Sequence, residues 1–215
     1  IILYGAFSVH IVFALSRLAG RRTLRMPVGE MAQIAMGLVI PVLLIAHIIH
    51  TRTAHEFYGV NDEMDYIMVL LHDTFDGWKQ SLLLLIVWAH GCIGLHFWLR
   101  GKSWWREGLP ALAGLAVFVP AFALAGFLVE GRRVTAAFSD ADMREVMIER
   151  FNFPDWETFQ TLIYFTNVSL GVFAAILGAV TLYIVARSVM ARRRSVMIRY
   201  SDGPEVMAPK GLTLL

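Results

Sequence analysis

The sequence predicts an all-α protein: a polytopic bundle of transmembrane helices, followed by the start of a small β-rich domain. Three observations predict it. Of the 215 residues, 57% are hydrophobic and 17% charged, against about 45–50% and about 25% in an ordinary globular chain. Five stretches are apolar and long enough, or nearly so, to cross a bilayer core, which takes ~20 helical residues. After Arg194 the apolar runs give way to a period-two alternation. The composition excludes disorder, a collagen-like or coiled-coil fibre and a disulfide framework, and it argues against a soluble enzyme. A net charge of +2 gives no reason to expect a nucleic-acid partner. The single Cys92 can form neither an intrachain disulfide nor a cysteine metal site.

The first span is Ile1 to about Leu15. It is short, and the chain opens on Ile1 with no charged region ahead of it, so we expect no signal peptide and a fragment that begins inside a helix. The second span is about Met31 to His50, the third Ser81 to Leu99, the fourth Leu109 to Val129 and the fifth Thr161 to Ala186. Pro41 and Pro120 fall inside helices, which membrane bundles tolerate because neighbours re-satisfy the freed carbonyls. Between the last two spans, Ser139 to Phe151 reads as a short amphipathic helix capped by Ser139. Met143, Val146 and Met147 share one face, which lies on the membrane surface or is a solvated loop helix. In the tail, Val196, Ile198 and Tyr200 alternate with polar residues, Asp202-Gly203 turns, and Val206 resumes, which is a hairpin signal. A hairpin alone is barely stable. The expected division is therefore a transmembrane helical anchor over 1–190 and a linker with an opening β-hairpin over 191–215.

Charge sets the orientation. The loops after spans one and three and the segment from Arg187 to Arg199 after span five hold twelve of the nineteen basic residues. Residues 51–80 and 130–161 hold thirteen acidic residues against six basic ones. The positive-inside rule makes the Arg-rich side cytoplasmic, with the C-terminus inside. Trp98, Trp104 and Trp105 then fit an inner aromatic belt, and Tyr58, Trp78 and Trp156 an outer one.

Five of the seven histidines, His10, His47, His50, His90 and His96, lie in or at the edge of apolar helices. Ionisable residues there are costly and mark function, although a lone one can be an interhelical hydrogen-bonder. Neutral imidazole is a haem iron ligand, and a helical bundle is a usual host for haem. His10 lies seven residues before Arg17 and His90 ten before Arg100, on spans running the same way. Their depths differ by only ~4–5 Å at ~1.5 Å per residue, so they can hold one inner haem from its two faces. His96, nearer the headgroups, is the alternative ligand or a propionate contact, and Arg17 and Arg100 are placed to pair with propionates. Gly91 and Gly94 beside His90 leave room for a macrocycle, or else pack helices closely. His47 and His50, three apart and sharing a face, are alternatives for an outer haem whose partner lies outside the chain. Gly171, Ala174, Ala175 and Gly178 in span five read as packing residues. His55 and His72 read as exposed, or bonded to loop carboxylates. No phosphate-cradling loop, nucleophile–base pair or cysteine cluster is evident.

The segment HGCIGLHFWLR, His90 to Arg100, resembles the haem helix of the cytochrome b anchors of succinate dehydrogenase and fumarate reductase. The whole chain is more similar to the membrane anchor of bacterial class III adenylate cyclases that carry a ferredoxin-type domain. The likeness rests on RRTLRMP (Arg21 to Pro27), HIIHTRTAHEFYGV (His47 to Val60), the His90 segment, and the tail IRYSDGPEVMAPKGLTLL from Ile198. That resemblance implies a six-helix anchor in the inner (cell) membrane holding two b haems, with one iron ligand near the outer end of span two, where the sequence offers both His47 and His50, beside the His10 and His90 that depth selects. It also implies a downstream [2Fe–2S] domain and a cyclase domain, a lyase making cyclic AMP from ATP, working as a homodimer. The competing expectation is a quinone-reactive cytochrome b subunit of a succinate dehydrogenase/fumarate reductase-like enzyme. A purely structural dimerising anchor without haem is the third.

Overall fold

The computed structural model describes residues 2–21, 26–193, 195–199, 203 and 205–209. Ile1, Arg22, Arg25, Arg194, Tyr200 and Asp202 lie outside them. The chain forms two compact units, Pro27–Leu170 and Ile1–Met26 with Gly171–Leu215.

The larger unit begins with α2 (Val28–Ile48), continues through a π-helical turn (Ile49–Thr53) and ends that rod with α3 (Ala54–Tyr58). A short α4 (Met64–Leu71) precedes α5 (Phe75–Leu99), α6 (Ser103–Ser139), α7 (Ala141–Phe151) and the first part of α8 (Trp156–Arg193). The smaller unit holds α1 (Ile2–Gly20), the remainder of α8, and an antiparallel hairpin of β1 (Ser195–Arg199) and β2 (Glu205–Pro209). Five stretches are long and apolar enough to span a bilayer: Ile2–Gly20, Val28–Tyr58, Phe75–Leu99, Ser103–Ser139 and Trp156–Met190. The protein is thus a multi-pass, all-α membrane protein, as its composition predicts. Its lipid-covered surface is apolar: Val12, Phe13, Val117, Phe118, Phe122 and Leu182 are exposed.

The long helices overrun the apolar runs that define the spans. α6 has 37 residues, about 55 Å at ~1.5 Å per residue, more than a ~30 Å hydrocarbon core requires. The excess enters a packed cap that sequence patterning largely missed. Val60, Tyr66, Met68, Val134, Met147, Phe151 and Leu162 form a buried cluster there, drawn from α4, α6, α7, α8 and the loop after α3. Tyr66 meets Phe153 at 5.0 Å and Phe151 edge-on at 6.2 Å. Gly59, at φ 68, closes α3 in the left-handed conformation that glycine adopts without strain. Asn61 N–H then donates to Phe151 O at 2.9 Å. Arg150 bonds Glu63 at 2.6 Å and Arg133 bonds Asp65 at 2.9 Å across the cap surface.

The structure corrects four expectations. The cap of α7 is Asp140, whose carboxylate accepts from Met143 N at 3.0 Å. Ser139 ends α6 and donates back to Thr135 O. The buried stripe of α7 is Met147 and Phe151, while Met143 and Val146 are exposed, because the aromatic cluster lies against the later turn. Trp105 is not a belt residue: it is 5% exposed. Tyr58 packs on the cap core, while Trp78, Trp98, Trp104 and Trp156 are exposed as a belt requires. No atom lies within 4 Å of a side chain placed at Gly171 or Gly178, so the described residues give these glycines no packing partner.

In the smaller unit, Arg187 donates to Ala19 O at 3.2 Å, giving the last turn of α1 a cationic cap. In the hairpin Val196 pairs with Ala208 and Ile198 with Val206, and Arg199 bonds Glu205 at 2.7 Å.

Candidate functional site

His90 and Gln33 exchange two hydrogen bonds between α5 and α2. Gln33 Nε2 donates to His90 O at 3.1 Å, and His90 Nδ1 bonds Gln33 O at 3.1 Å. A carbonyl only accepts, so Nδ1 carries the proton and the ring's lone pair lies on Nε2. Metal-bound histidine commonly has this second bond to a carbonyl, which fixes tautomer and ring angle. The chain around it is cut to fit. A Cβ at Gly37 would come within 3.0 Å of His90 Cε1, and one at Gly94 within 3.0 Å of Gln33 Nε2. Gly94 therefore serves the close approach of two helices, the packing alternative, while Gly91 lines a groove.

His96, one and a half turns further on, has the opposite tautomer. Its Nδ1 accepts from the Trp105 indole N–H at 3.2 Å, which leaves the ring proton on Nε2. As a neutral ring it offers a hydrogen-bond donor rather than a lone pair at Nε2. Arg100 closes α5, its guanidinium 5.4 Å from the Phe97 ring centroid.

His47 and His50 do not share surroundings. His47 lines an apolar groove of about 710 Å³, within the ~300–1,000 Å³ usual for ligand sites. The groove runs down α5 from Gln80 and Ser81 to Leu95, with Trp88 on the way, and is walled by α2, α4 and α6. His50 sits in the π turn and stacks obliquely on Phe159 of α8, ring centroids 5.7 Å apart. The wider turn begins at Ile49 and rotates the residues after it, so α-helical spacing no longer applies. The Thr51 hydroxyl donates to His47 O at 2.6 Å. Such π turns are rare and frequent at functional sites.

His10 and Arg17 lie on α1 in the smaller unit, both exposed. His55 is half-buried and bonds Val60 O at 2.8 Å and Asp62 at 3.2 Å. His72, expected to be exposed or bonded to a loop carboxylate, is buried. It meets Thr135 Oγ1 at 3.0 Å and Asp73 at 3.4 Å, with its ring directly on Gly131. Sequence reading missed Gln33, Gly37 and Trp105. Gln33 is a polar residue inside an apolar span, which is the signal that could have found it.

Among the described residues, no group of three or more His, Cys, Asp and Glu comes together as a metal site. Fold and site together define a multi-pass helical membrane protein with a tautomer-fixed imidazole between two spans and a second imidazole on an apolar groove. No protein-family model, curated protein or solved structure matches the chain.

Proposed function

We propose that this chain is a haem-b-binding transmembrane anchor and redox sensor of a bacterial adenylate cyclase, passing redox state to a cytoplasmic [2Fe–2S] domain and a cyclase domain. The observation that carries the haem reading is the His90–Gln33 bond, which puts the imidazole lone pair on Nε2 while His96 is held in the other tautomer. His90 would hold the inner haem. His96 is left as a donor to a propionate, with Arg100 as the cation near it on the same helix. His47 takes the outer haem, because its ring lies on a groove with space for a flat macrocycle whereas His50 packs on Phe159. When bound, haem supplies one-electron redox chemistry. The residues of this chain fix the imidazoles, exclude water with the apolar walls of α5 and α6, and neutralise the propionates.

The Arg-rich loops face the cytoplasm, the protein sits in the inner membrane, and the hairpin opens the ferredoxin-type domain. The groove also favours a second reading, a quinone-reactive cytochrome b subunit, since a long apolar slot with His47, Gln80 and Ser81 near one end suits a quinone. The covalent hairpin favours the cyclase anchor, because a respiratory subunit of that kind ends near its last helix.

A reduced-minus-oxidised absorption spectrum of the purified protein tests the haem reading. A Soret band with b-type α bands is expected, and their absence refutes both haem readings. In the longer protein, His47→Ala should remove one of two haems and His50→Ala little. The reverse result moves the ligand to His50.

A further inference from the structure

The four residues 33, 37, 90 and 94 form a reciprocal pattern. Each of two antiparallel helices presents one long polar side chain and, four residues on, a glycine. Gln33 of α2 lies against Gly94 of α5, and His90 of α5 lies against Gly37 of α2. Each side chain also bonds the other's backbone carbonyl at 3.1 Å. Residues i and i+4 sit one above the other on a helix face, so the two contacts repeat each other across the interface. Gly29 continues the seam, 3.4 Å from Phe97 when given a Cβ.

The bond to the imidazole comes from the backbone of Gln33, and its side chain determines where that backbone lies. The carboxamide cannot turn over, since Oε1 would then face the His90 carbonyl, which would lose its donor. Held this way, Oε1 is buried without a hydrogen-bond partner among the described residues. The two helices therefore accept an unmet acceptor in order to keep the amide N–H on His90 O. Sliding α2 along α5 would break both bonds together and drive His90 or Gln33 off its glycine.

We propose that Gln33 is the positioning residue for His90, locking the register of α2 on α5 so that the imidazole keeps its proton on Nδ1 and presents Nε2. The assignment rests on the haem reading for its purpose, but not for its geometry. Loss of an outer-shell partner of a metal-binding histidine costs about 10–100-fold in affinity, and the same loss of haem retention is expected for Gln33→Leu. Gly37→Ala should act likewise by pushing the ring, with Gly114→Ala on α6 as the neutral control, since nothing lies within 4 Å of it.

The test uses the purified chain labelled with ¹⁵N-histidine, in the reduced, diamagnetic state if haem is bound. Wild-type His90, assigned by comparison with His90→Ala, should be a single Nδ1–H tautomer. Gln33→Leu should mix the tautomers, shift the haem midpoint potential and weaken haem retention. If Gln33→Leu unfolds, Gly37→Ala carries the same readouts. An Nε2–H tautomer in the wild type overturns the proposal, as do an unmoved tautomer and potential in both variants. If the wild type binds no haem but the tautomer mixes in Gln33→Leu, the lock stands and the haem reading falls.

Discussion

Gly131→Ala should destabilise the protein although the substitution favours helix. A Cβ at Gly131 lies 2.1 Å from His72 Cδ2 and 2.7 Å from Cγ, where ordinary contact begins at 3.4 Å. The ring must retreat by more than 1 Å or α6 must shift. Either movement breaks the 3.0 Å contact between His72 Nδ1 and Thr135 Oγ1. Forced overpacking costs about 1–3 kcal/mol, and a buried polar pair left unmade another ~1–3 kcal/mol. Replacing glycine by alanine inside a helix returns about 1 kcal/mol. The net is a loss of roughly 1–5 kcal/mol, or a Tm lower by roughly 2–20 °C for a chain of this size. Gly126→Ala is the internal control, on the same helix with no atom within 4 Å, and should be neutral or slightly stabilising. Thermal unfolding of the detergent-solubilised variants, followed by tryptophan fluorescence, reads both. A Tm for Gly131→Ala equal to or above that of Gly126→Ala would refute the packing of His72 on α6.

Phe151→Ala should cost about 3–5 kcal/mol, the usual range for a buried aromatic, because Phe151 is 1% exposed at the centre of the cap; protease sensitivity confined to 54–75 and 140–155 would report it. The cap should also weaken at both ends of the pH scale. Bonds from Asn61 and then Arg150 hold Glu63 below its ordinary 4.5, so its contribution is present above that value and fades as pH falls through the lowered one. Burial, and then the charge of Asp62, push the Tyr66 hydroxyl up to about 12. Stability from the neutral hydroxyl is complete below pH ~10 and lost as pH rises through the raised value; near-ultraviolet circular dichroism against pH, with Glu63→Gln and Tyr66→Phe as controls, checks both signs. In a Cys92→Ala background, a cysteine at the exposed Ser139 should react with an impermeant reagent in intact cells and one at Lys102 should not. The opposite labelling would reverse the membrane orientation.

Much of this protein is determined by sequence alone. Hydropathy fixes the five spans, because a run of some twenty apolar residues has few other places to go. The alternation around Val196 and Ile198 specifies a hairpin, and the pairing of Ile198 with Val206 agrees with it. Histidines in apolar helices mark the candidate site, since the cost of burying an ionisable group is a local property. Tertiary structure decides what depends on a second helix. Met143, Val146 and Met147 occupy equivalent positions in sequence, yet only Met147 finds the aromatic cluster. His47 and His50 separate because the hydrogen bonding switches to a π turn at Ile49. His90 and His96 differ in tautomer because one meets the carbonyl of Gln33 and the other the indole of Trp105. A proton's position on an imidazole is set by its partner, and that partner lies 57 residues away for His90, where no periodicity of α5 can reveal it.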